Sequence, residues 1–190
     1  MRLFIGVELD EAVRAACAEA AARLRRRLTK LGADVTARWV ECENLHVTVW
    51  FIGEVNDERA DAIASVLQPR FTTAAFDLVA RGCGAFPTSG RPRVFWIGVK
   101  DDGSMGQLYQ EVKARLVPLA FQAEARPYSP HVTVARVKDA GRGAAQHVRD
   151  ALAAVTADCG SCRVRSVTLF RSRLSPHGSV YEPLLRVPLS

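Results

Sequence analysis

Apolar and polar positions alternate through "RLFIGVEL", Arg2 to Leu9, so that Leu3, Ile5, Val7 and Leu9 share one face and Phe4, Gly6 and Glu8 the other. That pattern predicts a strand. Asp10 then stands as an N-cap, and the spacing predicts a helix from Glu11 to about Leu31, stopped at Gly32. A short strand near Trp39 leads into a second alternating run, His46 to Ile52. Asp57–Leu67 reads as a helix, Phe76 to Ala80 as a strand, and "GCGAFPTSGRP" as a loop. The order then restarts. "RVFWIGVK", Arg93 to Lys100, matches "RLFIGVEL" in residue type. A helix over about Gly106 to Leu119, a break at "RPYSP", a strand over His131 to Val137 and a helix over about Gly143 to Val155 follow. A long strand, Arg163 to Arg171, the turn "SPHGS" and a last strand, Val180 to Val187, close the pattern.

Each half thus reads strand, helix, histidine strand, helix, strand. The expected organisation is one domain over residues 1–190 carrying an internal repeat, roughly 1–85 and 91–190. No low-complexity run or long linker divides it.

The two histidine strands are nearly the same text: "LHVTVWF", Leu45 to Phe51, and "PHVTVAR", Pro130 to Arg136. Residues two apart on a strand share a face, about 6–7 Å apart. His46, Thr48 and Trp50 are therefore expected on one face, with Val47, Val49 and Phe51 on the apolar core face. His131, Thr133 and Ala135 are expected together, with Val132 and Val134 opposite. Each motif sets an imidazole beside a hydroxyl. If the strands face each other across a pseudo-twofold axis, one cleft holds two of each. Paired imidazoles, one neutral and one protonated, suit general base and general acid work. Two hydroxyls suit the non-bridging oxygens of a phosphate. A phosphodiester held this way needs no metal: one histidine activates water and the other protonates the leaving ribose oxygen. Spacing alone does not say which does which. A zinc site would need a third ligand that the sequence does not offer.

Composition adds modestly to this. At 190 residues and 48% hydrophobic, the chain can bury a sizeable core, and no apolar run is long enough to span a membrane. The N-terminus reads as a strand rather than a signal peptide, so a cytoplasmic protein is expected. A net charge of +6 favours polyanionic partners such as RNA. The run "RLRRR", Arg23 to Arg27, reads as a solvated helix face rather than an RNA patch. The five cysteines, Cys17, Cys42, Cys83, Cys159 and Cys162, read as reduced thiols. "CGSC" has zinc-knuckle spacing but no second pair. His147 and His177 read as surface residues.

"ENLHVTVWFIGEV", "GAFPTSGRPRVFWIGV", "RPYSPHVTVARV" and "VTLFRSRLSPHGSVYEPLLRVPL" together resemble the RNA 2',3'-cyclic phosphodiesterase family, also called the 2'-5' RNA ligase family, of the two-histidine phosphoesterases. The resemblance runs from Arg2 to Leu189. It implies a bilobal α+β fold, pseudo-twofold duplicated lobes whose antiparallel sheets line a central cleft. It implies metal-free, cofactor-free hydrolysis of a terminal RNA 2',3'-cyclic phosphate to a 2'-phosphomonoester by a monomer, with tRNA halves among the RNA partners. Carried over, His46 is the proton donor and His131 the acceptor, with Thr48, Thr133 and Arg136 on the phosphate. Strict alternation sets Arg136 on the face away from His131, so it must reach the cleft from a twisted or ending strand. Phe4 and Tyr128 are base-stacking candidates, and Arg91, Arg93 and Lys138 are rim residues for the RNA backbone. Alternatives within this frame are 2'-5' ligation, a small-nucleotide cyclic phosphodiesterase, and a weakly catalytic RNA-end binding module. There is no P-loop pattern, so ATP or GTP would have to use the same cleft.

Overall fold

A computed structural model describes residues 1–175 and 178–190. Alternation at Arg2–Glu8 builds β1, and its apolar face, Leu3, Ile5 and Val7, is fully buried. The Asp10 carboxylate accepts the Val13 amide at 2.8 Å and opens α1, Glu11–Lys30. Val13, Cys17, Leu24 and Leu28 form the buried stripe of α1. Within "RLRRR" only Leu24 is core, while Arg23, Arg25 and Arg26 are exposed, as a solvated face requires. Then come β2 (Val35–Trp39), β3 (His46–Glu54), α2 (Asp57–Leu67), β4 (Phe76–Phe86) and β5 (Val94–Lys100). They are followed by α3 (Ser104–Leu116), β6 (His131–Ala140), α4 (Ala144–Ala153), β7 (Asp158–Val164), β8 (Ser166–Ser175) and β9 (Gly178–Pro188).

Nine strands among the described residues join one curled antiparallel sheet in the order β7-β4-β5-β6-β3-β1-β8-β9, with β2 paired to β6. The fold is α+β, and its two halves meet where β3 and β6 pair at Val47 and Val132. The sheet exchanges strands between the sequence halves. β4 pairs with β5 and β7, while β8 comes back to pair with β1. The helical stripes and the apolar sheet face form one core that includes Leu3, Ile63, Phe95, Leu108, Val132 and Leu169.

Local pattern placed two segments differently. "GCGAF" is strand rather than loop, because Cys83 to Phe86 pair with Ile97 to Val94. The stretch Asp158–Ser175 is two strands broken at Arg165: β7 pairs with β4 and β8 with β1. "CGSC" therefore lies within β7, its Cys159 and Cys162 buried under α1 beside Cys17. His147 is exposed on α4, and the reading of His177 lies outside the described residues. No helix among the described residues is long and apolar enough to cross a membrane.

Candidate active site

β3 and β6 carry the repeated motif, and their burial runs in parallel. His46 and Thr48 are half-buried, as are His131 and Thr133, and Val47, Val49, Val132 and Val134 are core. The strands pair at Val47 and Val132 and then part. Carried one residue outward, that register sets His46 toward Thr133 and Thr48 toward His131. The two imidazoles and two hydroxyls thus alternate around the point where the strands diverge.

Alternation fails after the second valine of each motif, and it fails in the same way. On β3 the partners of Ile5 and Gly6 are Trp50 and Thr48, which leaves Val49 as an extra residue. On β6 the partners of Phe95 and Trp96 are Ala135 and Thr133, which leaves Val134 as an extra residue. Each is a β-bulge, two residues facing one, and it resets which side the following residues take. Trp50 and Ala135 consequently join the core, at 6% and 0% exposure, rather than the histidine face. Phe51 turns out to 51% exposure, under the Arg2 guanidinium. Arg136 likewise returns to the side of His131 and Thr133. Its charge bears on both imidazoles. The expected opposition between Arg136 and His131 is corrected by one inserted residue.

Both imidazoles are held by the same device. His46 Nδ1 donates to the Asn44 carbonyl at 2.7 Å, and His131 Nδ1 donates to the Ser129 carbonyl at 2.8 Å. A proton fixed on Nδ1 leaves Nε2 as the working nitrogen of each ring. In neutral His46, Nε2 accepts from the Thr48 hydroxyl at 3.0 Å. Asn44 is itself pinned, its side-chain amide donating to the Ser179 carbonyl of β9 at 2.7 Å. Gly6 lets the His46 ring lie close over β1. A Cβ there would sit 2.9 Å from the Val47 carbonyl oxygen and 3.3 Å from the imidazole Cδ2.

The electrostatics depress both rings. Burial pulls the His46 pKa down to about 4, and the Arg136 and His131 charges add to this while the Asn44 carbonyl opposes it. His131 is lowered by burial and by Arg136, with the Ser129 carbonyl opposing. Both rings are neutral in the empty site at neutral pH, and each would regain basicity only beside an anion.

Of the stacking candidates, Phe4 is 4% exposed, its ring stacked on His46 at 4.7 Å and on Phe170 at 5.0 Å. It walls the imidazole and offers no open face to a base. Tyr128 stacks on Tyr109 at 4.5 Å and donates its hydroxyl to the Thr48 carbonyl at 3.0 Å, tying the approach to β6 onto β3. Burial raises its phenol pKa. Two half-buried aromatics escaped sequence reading. The Tyr181 ring stands edge-on to His46 at 5.2 Å, and Phe86 edge-on to His131 at 5.2 Å. Neither is close to a motif in sequence, and Phe86 fell in a segment read as loop. Lys138, Arg91 and Arg93 are exposed.

Comparison with known proteins identifies the family of the chain. The model of the 2'-5' RNA ligase superfamily matches residues 13–176. A protein of Archaeoglobus fulgidus named RNA 2',3'-cyclic phosphodiesterase is 35% identical over 184 residues, covering 97% of this chain and 98% of its own. A protein of the same name from Methanothermobacter thermautotrophicus is 34% identical over 97% of this chain and 96% of its own. Among solved structures, TT0787 of Thermus thermophilus superposes with a TM-score of 0.79 at 29% identity, over 100% of this chain and 98% of that one. E. coli LigT complexed with 3'-AMP superposes at 0.73 and 25% identity, over 100% and 98%. With its paired motifs on adjoining bulged strands and a family match across most of its length, the chain belongs to the 2'-5' RNA ligase superfamily.

Proposed function

We propose that this protein hydrolyses the 2',3'-cyclic phosphate at the end of an RNA to a 2'-phosphomonoester, using its two histidines and no metal. The observation that carries this reading is the shared tethering of the rings. Each Nδ1 is committed to a backbone carbonyl, so each Nε2 is the nitrogen that can serve one ligand, which would draw the Thr48 hydroxyl from its bond to His46 Nε2 and engage Thr133 as well. His131 Nε2 takes a proton from water as the water oxygen attacks phosphorus. The bond from phosphorus to the 3' oxygen breaks, and that oxygen takes the proton held on His46 Nε2. The phosphate stays on the 2' oxygen, and solvent exchange restores both rings. Thr48 and Thr133 hydrogen-bond non-bridging oxygens, and Arg136 neutralises the charge that gathers there.

A proton donor needs a proton, and His46 titrates at about 4 in the empty site. The phosphodiester anion supplies the missing counter-charge and raises the ring's pKa toward neutral pH, so substrate binding arms the acid. A ribose 5'-hydroxyl in place of water would form a 2'-5' linkage in the same geometry. RNAs with cyclic ends, tRNA halves among them, are the proposed partners.

Phosphorus NMR of a short RNA ending in a 2',3'-cyclic phosphate, with EDTA present, tests this. A 2'-phosphate product from wild type, and none from His46→Ala or His131→Ala, supports it. A cyclic phosphate left untouched by wild type overturns it. Activity lost to EDTA and restored by zinc overturns the metal-free mechanism.

A further inference from the structure

Arg38 lies on β2, outside both histidine motifs, and had no place in the sequence reading. Register brings it to the site. β2 pairs with β6 so that Arg38 stands directly across from Arg136 and Trp39 across from Ala135. Directly opposed residues on antiparallel strands share a face. Ala135 and the half-buried Trp39, stacked on Phe95 at 6.1 Å, belong to the core side. Arg38 and Arg136 therefore share the other side, the face of His131 and Thr133. The Val40 amide donates to the Val134 carbonyl at 2.9 Å and fixes this end of β2 against the bulge that turns Arg136.

Two guanidinium groups in direct register repel, and like charges so placed destabilise a sheet. Several strand arginines elsewhere meet carboxylates, although Arg2 on β1 lies over Phe51 instead and Arg81 on β4 has no described ion pair. Arg163 meets Asp77, Arg171 meets Glu182, and Arg186 meets Glu8. Arg38 and Arg136 are both exposed, and none of the described ion pairs or side-chain hydrogen bonds involves either. Two planar, permanently charged forks set in register on one face match a phosphate.

We infer that Arg38, beside Arg136, forms a second phosphate subsite, which holds the internucleotide phosphate one step upstream of the cyclic end. This rests on the reading of the histidine pair as a cyclic phosphodiesterase centre. Arg136 reaches back along β6 toward the reacting phosphate. Arg38, on the neighbouring strand, takes the next negative charge of the chain. The subsite makes the enzyme select RNA ends over nucleoside 2',3'-cyclic phosphates, which lack that upstream phosphate.

The test compares kcat/KM on a dinucleotide ending in a 2',3'-cyclic phosphate with kcat/KM on the corresponding nucleoside 2',3'-cyclic phosphate. Wild type is expected to favour the dinucleotide about 10-fold or more. Arg38→Gln is expected to lower that ratio about 10-fold and to reduce the salt slope of dinucleotide use by about one. Arg38→Lys is expected to keep part of the preference, since it keeps the charge but not the fork. The melting temperature of Arg38→Gln should stay level or rise, because a like-charge contact has been removed. A merely structural arginine would lower it. Equal loss on both substrates, or an unchanged ratio, overturns the subsite. Calorimetry with a dinucleotide 2'-phosphate and a nucleoside 2'-phosphate makes the same comparison without turnover. If wild type cleaves neither cyclic substrate, the proposed reaction fails, and this binding comparison still decides the subsite.

Discussion

The two histidine strands are built alike and environed differently. β3 and β6 share His-Val-Thr-Val, a tether from Nδ1 to the carbonyl two residues earlier, and a bulge at the second valine. Beyond the bulge they part. β3 continues with Trp50 in the core and Phe51 at the surface, whereas β6 continues with Ala135 and Arg136. The His46 ring lies among Phe4, Phe170 and Tyr181, and burial drives it to about 4. His131 has Phe86 at its edge and Arg136 on its own strand. The same motif thus sits in two unlike settings, one imidazole among aromatics and one beside Arg136 on its own strand, as the proposed acid and base at one phosphate would require.

The strongest way to break this comparison is to remove each ring in turn. His46→Ala and His131→Ala are each expected to lose about 10²–10⁴-fold in kcat while keeping the fold. A single-turnover assay with a circular dichroism control checks this. If one variant stays near wild-type activity, the two strands are not paired acid and base.

Next in size is the residue five places past each histidine. Arg136→Ala is expected to cost about 10–100-fold in kcat/KM, the range for losing a hydrogen bond to a charged group. Phe51→Ala, at the equivalent place on β3, is expected to cost less than about 3-fold, since the exposed ring opposite Phe4 carries no charge to set against a phosphate. Equal effects would mean that the bulges serve packing alone. Steady-state kinetics on one cyclic substrate decides it.

Titration sharpens the difference between the rings. NMR of free protein should place His46 near pH 4, and a bound 2'-phosphate product should raise it. Stability carries the same sign. With the folded pKa below the ordinary 6.5, the unfolded state binds more protons, so the contribution of His46 is whole above pH 6.5 and lost as pH falls toward 4. Its size is on the order of 3 kcal/mol. Urea melts of wild type against His46→Asn across that window measure it, and parallel curves would show His46 unshifted.

The smallest effect tests close approach. Gly6→Ala should push the His46 ring or the Val47 carbonyl by a few tenths of an ångström. The expected result is a fall in kcat of about 3–10-fold with destabilisation of about 1–2 kcal/mol. Activity unchanged at a lowered melting temperature would separate packing from positioning.

Much of this site was legible before folding. His46 with Thr48 and His131 with Thr133 follow from a two-residue period, and the cap at Asp10 marks its helix. What failed, failed at long-range pairing. Trp50, Phe51 and Arg136 were given the wrong faces because alternation has no way to register an inserted residue opposite Gly6 or Trp96. "GCGAF" was read as loop because glycines punctuate locally, while its strand character comes from β5. One strand was read over Arg163 to Arg171, where β7 ends and β8 begins, because nothing local announces that Asp158–Val164 and Ser166–Ser175 pair toward opposite ends of the sheet.

By itself the sequence determined most of the elements, the imidazole–hydroxyl pairs on their strands and the family, since these depend on composition and periods within a few residues. Only the tertiary structure decided that β3 meets β6 at Val47 and Val132, that bulges bring Arg136 round to His131, and that β2 sets Arg38 beside it. It also decided that aromatic burial, rather than charge alone, depresses His46. Those outcomes depend on hydrogen bonds and desolvation between strands as much as about a hundred residues apart, which no local pattern encodes.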